Sequence, residues 1–204
     1  MNIRSFFIAT KMRLLNCSII KQLCYVGSDR MEYMDYWYVI FVETGKEDHV
    51  CNRINVIDGN KEIITLVPKR IVPERHNGVF YYETKLLYPG YVLINSCEKR
   101  PRLYQEIRKI PAVYRWLGNN GLLSTLYEYE IETILGLIDE RGVIQKSYAI
   151  IENSIVKIIE GPLKNKSGIV RRIDRHKNRA KVKMSLCGVD RTIDLGIEVL
   201  KWQE

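Results

Sequence analysis

The most apolar stretch of the chain reads Leu86-Leu87-Tyr88-Pro89-Gly90-Tyr91-Val92-Leu93-Ile94. Proline cannot donate a ladder hydrogen bond and glycine tolerates a bulge, so we expect a strand that bends at Pro89-Gly90. Residues 92–94 are predicted to form its buried half. Tyr88 and Tyr91 flank the bend, and amphipathic aromatic side chains on a rigid strand often anchor a protein partner. From these residues alone, partner binding and ordinary packing remain open alternatives.

Patterns on both sides of this stretch predict an α+β layer architecture over residues 35–140. Besides the bent strand, the predicted elements are a strand at 37–42, a helix from Lys46, a strand at 63–67, a hairpin at 70–85 turning at Asn77-Gly78, a helix at 101–110, a strand at 113–117 and a helix after a capping box of Thr125 and Glu128. We therefore expect an antiparallel sheet flanked by helices.

The remainder of the chain is all β in pattern. Residues 141–152 are weakly patterned and are predicted to be a flexible linker, and five short strands are predicted within residues 153–204. Residues 179–186 alternate strictly, with Ala180, Val182, Met184 and Leu186 predicted on one face of a strand. Five short strands in about fifty residues favour a small barrel, because closure removes exposed edges.

Composition is that of a folded domain protein: 204 residues, 46% hydrophobic and 27% charged. The net charge is +8, and the basic surplus lies at the two ends. Residues 151–204 hold twelve Lys and Arg against seven acidic residues, whereas residues 35–150 hold fifteen of each. A basic C-terminal unit indicates contact with nucleic acid or another polyanion.

The first 34 residues stand apart from the patterned chain. No stretch reaches the roughly 18 apolar residues of a membrane span, and the apolar run at 6–9 is too short for a signal peptide. Two interpretations stay open: translation begins at Met34 and the upstream stretch is a mis-assigned start, or residues 1–34 are a basic extension. Five cysteines without a C-x-x-C pair favour a reducing cytoplasm and offer no zinc site.

No catalytic constellation stands out in the sequence. It contains no phosphate-binding G-x-x-x-x-G-K-[ST] loop, no H-E-x-x-H and no G-x-S-x-G. We therefore expect a binding protein, with neither enzymatic activity nor a cofactor nor a metal.

Basic residues supply the positive signal. Residues 164–183 contain nine bases and one acid, and Lys and Arg contact phosphates without regard to sequence. The predicted nucleic-acid-binding residues of this unit are Lys164, Lys166, Arg171, Arg172, Arg175, Lys177, Arg179, Lys181 and Lys183. The ends of helix 101–110 add Arg102, Arg108 and Lys109 as secondary candidates. The alternative for either set is a solvated face.

Several segments, taken together and in order, resemble the NusG family. Residues 37–39, 45–50, 67–68, 87–93 and 111–113 resemble the family's NGN domain. The segment Gly161-Pro162-Leu163-Lys164-Asn165-Lys166-Ser167-Gly168-Ile169-Val170 resembles its KOW motif, and residues 184–188 resemble the strand and turn that follow it. The resemblance covers residues 36–202.

The resemblance implies an NGN domain at 35–140 that binds the clamp helices of the largest subunit of RNA polymerase, and a KOW domain, a small SH3-like β-barrel, at 153–204. The polymerase-binding residues that it implies are Trp37, Tyr88, Pro89, Gly90, Tyr91 and Trp116. Helix 101–110 would face the non-template DNA strand. Residues 109–113 depart from the Asn-Thr-Pro-Gly-Val-type segment of NusG, so base reading there is not implied.

The basic KOW region and the short hairpin at 70–85 are most similar to specialised LoaP-type antiterminators. That similarity implies a monomer that loads at a leader RNA hairpin and suppresses pausing and termination. One alternative is a general NusG factor whose KOW domain couples polymerase to a ribosomal protein or to Rho. Another is a ribosome-associated RNA-binding protein without polymerase contact. Strict alternation at 179–186 argues against an RfaH-type helical refolding of the C-terminal domain.

Overall fold

The structure is a computed structural model, and it describes residues 36–59, 63–96, 101–119, 122–152 and 155–200. The extension predicted at residues 1–34 lies outside the described residues. Among the residues described, no helix is long and apolar enough to cross a membrane.

A four-stranded antiparallel sheet organises the first half of the chain. Its strands, in spatial order, are β2 (Ile63–Leu66), β5 (Tyr91–Ser96), β1 (Tyr36–Val42) and β6 (Val113–Trp116). Because side chains alternate along β1, Trp37 and Val39 join one hydrophobic cluster while Tyr38 and Ile40 join another on the opposite face. The sheet therefore carries a core on each face.

Helices cover both faces of this sheet. Two of them, α1 (Glu47–Ile57) and α2 (Tyr104–Arg108), pack on the Tyr38 face through residues such as Val50, Ile54 and Ile107. The third, α3 (Glu128–Leu135), packs on the Trp37 face through Ile131, Ile134 and Leu135.

Two helix boundaries differ from the sequence prediction. The helix predicted at 101–110 is one short helix at 104–108. The capping box predicted for Thr125 and Glu128 is wrong, because Thr125 instead forms a β-bridge to Tyr38. Tyr127 is the N-cap of α3, and its backbone N–H donates to Glu130 Oε2 at 2.9 Å. A tertiary strand contact has moved the start of the helix by two residues.

The predicted hairpin consists of β3 (Lys69–His76) and β4 (Val79–Leu86). Asn77 and Gly78 have φ values of 51° and 84°, as a two-residue turn between twisted strands requires. On its other side β3 pairs in parallel with the short β9 (Val143–Ile144). Another short pair, β7 (Gly118–Asn119) and β8 (Leu122–Leu123), follows β6.

The stretch 86–94 is not one bent strand, as predicted, but the junction of two strands in different sheets. Strand β4 ends at Leu86, β5 begins at Tyr91, and Tyr91 N donates to Tyr88 O at 3.2 Å to close a turn between them. Gly90 has a φ of +81°, and a Cβ on it would lie 3.1 Å from the Phe41 ring. The Pro-Gly pair thus turns the chain from the hairpin into the main sheet.

A buried carboxylate fixes this turn to the start of α1. Glu47 is only 2% exposed, and its two oxygens accept hydrogen bonds from Gly45 N and Gly90 N, each at 2.7 Å. Val42 N donates to Gly90 O at 2.8 Å. Strand β1, helix α1 and the turn therefore share one hydrogen-bonded junction.

The C-terminal sheet has five strands, in the order β11 (Ile155–Glu160), β10 (Ser147–Glu152), β14 (Val189–Val199), β13 (Arg179–Leu186) and β12 (Val170–Asp174). It forms a half-barrel whose inner face carries Ala180, Val182, Met184 and Leu186, which confirms the alternation predicted for residues 179–186. We call residues 36–144 the N-terminal domain and residues 147–200 the C-terminal domain.

Two features of this sheet differ from the prediction. The fourth and fifth strands, predicted at residues 191–195 and 197–201, are one strand over the described residues, β14, which pairs first with β13 and then in parallel with β10. Residues 141–152, predicted as a linker, contain β9 and β10. Strand β10 pairs with the adjacent β11 and, in parallel, with β14 some fifty residues further along the chain, and its own weak pattern concealed it.

Two of the five cysteines lie within the described ranges, and both are free thiols. Burial raises the pKa of Cys51 and that of Cys187 to about 11. Both thiols therefore stay protonated at neutral pH. The other three cysteines lie outside the described residues.

We expect Glu47→Ala to lower the free energy of unfolding by about 2–4 kcal/mol, because two backbone N–H groups lose a charged acceptor. Urea unfolding followed by circular dichroism measures the change. Glu43→Ala removes an exposed acidic side chain from the loop before α1 and is the matched control. It should change the free energy of unfolding by less than about 0.5 kcal/mol. Equal stabilities of the two variants would show that the turn does not depend on Glu47.

Candidate functional site

Tyr88 lies in the hydrophobic core that the two domains share. It is 3% exposed and belongs to the same buried cluster as Trp37 and Leu87 of the N-terminal domain and Met184 and Leu186 of the C-terminal domain. The Trp37 face of the main sheet is therefore covered by α3 together with the C-terminal domain. The predicted partner surface around Tyr88 is closed in this arrangement.

The hydroxyl group of Tyr88 is buried without a hydrogen-bond partner among the described residues. Burial raises the pKa of this phenol. Among its neighbours, Arg191 lowers the pKa, whereas Glu130 and Cys187 raise it further. A buried polar group left without a partner costs about 1–3 kcal/mol. The unpartnered hydroxyl therefore opposes docking of the C-terminal domain over Tyr88.

An aromatic strip, formed by Tyr114, Phe41 and Tyr91, continues this surface into solvent. The Phe41 ring centroid lies 5.3 Å from that of Tyr114 and 5.4 Å from that of Tyr91. At the far end the Arg191 guanidinium, from the C-terminal domain, sits 5.3 Å from the Tyr91 ring centroid. Tyr114 is 60% exposed, so the strip offers an accessible aromatic surface beside the docked domain.

Phe41 and Tyr114 were missed by the sequence prediction. Strict alternation would place Tyr114 on the same face as Trp116, but the pairing of β1 with β6 shifts register between Phe41 and Val42. Such a bulge re-aims a side chain, and here it brings Tyr114 beside Phe41. Alternation along β1 was the one signal available from sequence, because it places Phe41 on the same face of the sheet as Trp37 and Val39.

Trp116, which the resemblance places in the same polymerase-binding set as Tyr88, does not lie beside it. It lies in the cluster on the opposite face of the sheet, with its ring centroid 5.9 Å from Tyr38 and 5.3 Å from Tyr104. Of the six predicted polymerase-binding residues, Pro89 is exposed and Tyr91 half-buried. The four that are buried are Trp37, Tyr88, Gly90 and Trp116.

Arg179 links the domains through polar contacts. Its Nε and Nη2 donate to Pro73 O at 3.2 and 2.9 Å, and Nη2 lies 2.8 Å from Glu74 Oε2. Arg70 reaches the other way, donating from Nη1 to the backbone oxygen of Asp194. Two arginines thus bind strand β3 to strands β13 and β14.

A second polar cluster joins β4 to the end of β14. Tyr82 OH donates to Glu198 Oε2 at 3.1 Å, and Lys146 Nζ lies 2.6 Å from the same oxygen. The Lys146 ammonium also sits 4.4 Å from the Tyr82 ring centroid and 5.0 Å from that of Tyr148. The hydrogen bond to Glu198 raises the pKa of Lys146, so the cation persists at neutral pH.

A third contact joins the start of α3 to the turn after β13. Gly188 N donates to Glu130 Oε1 at 2.8 Å, while the other oxygen of this buried carboxylate accepts from Tyr127 N. Glu130 therefore stabilises the start of its own helix and contacts the C-terminal domain.

The predicted basic face of β13 is largely neutralised by acids on neighbouring strands. Lys183 Nζ lies 2.5 Å from Asp190, Lys181 Nζ lies 3.3 Å from Asp194, and Arg179 contacts both Asp194 and Glu74. Lys166 Nζ is near Gly136, at the C-terminal end of α3, where backbone carbonyls favour a cation. These four bases are therefore engaged in contacts within the protein, although Lys181 and Lys183 keep 47% and 42% of their side chains exposed.

The other predicted bases remain exposed. Those of the C-terminal domain are Lys164, Arg171, Arg172, Arg175 and Lys177. Those of the α2 region are Arg102, Arg108 and Lys109, with the Arg108 guanidinium 5.7 Å from the Tyr104 ring centroid. Within the described residues no group of three or more His, Cys, Asp or Glu side chains could hold a metal ion.

Comparisons with known proteins agree on one family. Residues 35–135 match the family described as transcription termination factor nusG, and residues 152–183 match the KOW motif. A transcription termination/antitermination protein NusG of Rickettsia felis is 30% identical over 173 residues, spanning 81% of this chain and 88% of its own. The NusG of Helicobacter pylori strain 26695 is 26% identical over 166 residues, spanning 78% of this chain and 93% of its own.

A solved structure of NusG from Thermotoga maritima, described as showing a domain interaction, is also similar to this chain. It is 23% identical, aligns with a TM-score of 0.46, and spans 79% of this chain and 93% of its own.

We expect Arg179→Ala to shift the docking equilibrium of the two domains toward the undocked state by about 10- to 100-fold, because a charged donor to Pro73 O and Glu74 is lost. Faster hydrogen exchange in β3 and a larger radius of gyration measure the shift. Lys181→Ala, two residues along the same strand face, removes a contact within the C-terminal domain only and is the control. The role assigned to Arg179 fails if both variants behave as the wild type.

Proposed function

The chain belongs to the NusG family, and from this premise we propose that it is a transcription elongation and antitermination factor. It binds RNA polymerase through the N-terminal domain, at the clamp helices of the largest subunit, and suppresses pausing and termination. It works in the cytoplasm as a monomer and catalyses no reaction.

The aromatic strip is the observation that supports the polymerase contact best. Tyrosine and phenylalanine rings supply large contact areas with few rotatable bonds, and clustered aromatic anchors dominate protein interfaces. The strip is half-buried to exposed in the docked arrangement. Pro89, exposed on the turn beside Tyr91, extends the same surface.

Tyr88 becomes a contact only after the C-terminal domain moves away. Its unpartnered hydroxyl supports this view, because exposure gives that group water or a partner to bind. Arg191 lies on Tyr91, so departure of the C-terminal domain also uncovers the second tyrosine. Polymerase and the C-terminal domain therefore compete for part of one surface.

Exposed bases support a second contact, with nascent RNA. Lys164, Arg171, Arg172, Arg175 and Lys177 remain available after the paired residues of β13 are set aside. A specialised LoaP-type role, in which the factor recognises a leader hairpin, rests on these bases. Arg102, Arg108 and Lys109 provide a smaller basic surface for non-template DNA.

A second candidate function is that of a general NusG whose C-terminal domain couples polymerase to a ribosomal protein or to Rho. The observation in its favour is an apolar cleft of about 570 Å³ between β11 and β12. Ile155, Val156, Ile158, Val170 and Ile173 line it, and Ile155 is 69% exposed. An apolar cleft between two edge strands suits a protein partner better than RNA.

We expect Tyr114→Ala to weaken binding to RNA polymerase by about 30-fold, because it removes an accessible aromatic anchor from the strip. Titration of labelled factor against core polymerase measures the affinity. Tyr129→Ala, which removes a tyrosine of similar exposure from α3 (54% against 60%), should leave binding unchanged. If both variants bind polymerase as tightly as the wild type, the strip is not part of the polymerase interface.

We expect the double variant Arg171→Ala, Arg172→Ala to bind RNA more weakly. The slope of log affinity against log salt concentration should become shallower by about 1–2, because RNA binding with two fewer phosphate contacts releases fewer counterions. Lys183→Ala is the control, because Asp190 already neutralises that cation. Filter binding at several salt concentrations gives the slope. RNA affinity that stays the same in the double variant favours the general-factor alternative.

A further inference from the structure

A groove of about 750 Å³ runs between the β3–β4 hairpin and the C-terminal domain. Its volume lies within the range of ligand-binding clefts, about 300–1,000 Å³. The hairpin contributes Phe80 and Tyr82 to its walls, and the C-terminal domain contributes Ile151, Arg175, Asn178, Glu198, Val199 and Leu200. The groove therefore exists only while the two domains are docked.

The hairpin wall is aromatic, and a cation lies beside it. Phe80 and Tyr82 are alternate residues of β4 and so project from the same face, while Tyr81 projects from the other. Arg75, directly opposite Phe80 in the hairpin, places its guanidinium 5.7 Å from the Phe80 ring centroid. Rings accompanied by cations on a rigid strand are suited to stacking of unpaired bases.

The opposite wall carries a cation on an ordered turn. Asp174 Oδ1 accepts hydrogen bonds from the backbone N–H groups of His176 and Lys177, at 3.1 and 3.0 Å. This holds the turn that presents Arg175 and Asn178 to the groove. The arginine is exposed and supplies a phosphate contact, and the Asn178 amide offers a donor and an acceptor for a 2′-hydroxyl or a base edge.

The carboxylate of Glu198 lines the groove, but it does not repel an anionic ligand. Glu198 forms an ion pair with Lys146 at 2.6 Å and accepts a hydrogen bond from Tyr82 OH. Because its charge is thereby compensated, Arg75 and Arg175 set the charge of the groove. The groove is thus complementary to a polyanion with planar rings.

We propose that this groove binds single-stranded RNA, with bases stacked on Phe80 and Tyr82 and phosphates held by Arg75 and Arg175. The proposal deepens the proposed RNA contact and rests on it. Double-stranded nucleic acid does not fit this chemistry, because its bases are already stacked and paired. Since the walls come from two domains, the docked form is the form that binds single-stranded RNA.

The first experiment compares two aromatic substitutions on opposite faces of β4. Phe80→Ala should weaken binding of a labelled single-stranded RNA by roughly 5- to 150-fold, the effect of losing one stacked base. Tyr81→Ala, which removes a 54% exposed tyrosine from the other face, should leave RNA affinity unchanged. A duplex of the same sequence should bind more weakly than the single strand. Equal affinity for the single-stranded DNA of that sequence would overturn the assignment to RNA.

The second experiment separates the groove from general attraction to positive charge. Glu74→Arg raises the net charge by two but places a cation against Arg179 and Lys85, the present partners of Glu74, and so should open the domain junction. If charge alone governed binding, RNA affinity would rise; if the docked groove is the site, RNA affinity falls.

Polymerase binding measured on the same variants distinguishes failure of the groove proposal from failure of the proposed function. Phe80→Ala should keep the polymerase affinity of the wild type while losing RNA. Failure of the wild-type chain to bind any RNA would reject the proposed RNA contact as a whole. Wild-type RNA binding that survives Phe80→Ala and strengthens in Glu74→Arg would reject the groove alone.

Discussion

Much of the structure depends on the buried carboxylate of Glu47. Its two oxygens bind the backbone N–H groups of Gly45 and Gly90, and charged acceptors make such bonds about twice as strong as neutral ones. The bonded turn sends the chain from the hairpin into the central sheet and sets Tyr88 and Tyr91 on the surface where the second domain docks. An interaction near the start of α1 therefore decides what the C-terminal domain meets.

Elements governed by local pattern could be predicted from the sequence, and elements governed by distant partners could not. Alternation at 179–186 and the Asn77-Gly78 turn predicted a strand and a hairpin because side-chain period and turn conformation are local properties. Strand β10 was hidden because its own residues are weakly patterned and its parallel partner, β14, lies some fifty residues further along the chain. The start of α3 was misplaced because Thr125 bonds to β1, a contact that no capping pattern encodes.

The candidate site shows the same division at the level of single side chains. Density of Lys and Arg correctly indicated a basic unit, but cross-strand register decided which cations are available. Lys181 stands directly opposite Asp194, and Lys183 reaches Asp190, so the cations of this strand face are engaged with neighbouring acids. The place of Tyr114 in the aromatic strip could not be predicted either, because only the shift of register between β1 and β6 brings Tyr114 to Phe41.

The two proposed interactions place opposite demands on the domain junction. Single-stranded RNA needs both walls of the groove and so favours the docked form, whereas polymerase contact at Tyr88 needs the C-terminal domain to leave. Binding free energies are reciprocal; therefore RNA in the groove weakens polymerase contact at Tyr88 by the factor by which polymerase weakens RNA. The accessible strip at Phe41 and Tyr114 escapes this conflict, because it is not covered in the docked form. If both proposals hold, a first encounter with polymerase through the strip precedes undocking, and release of RNA from the groove accompanies full engagement of Tyr88.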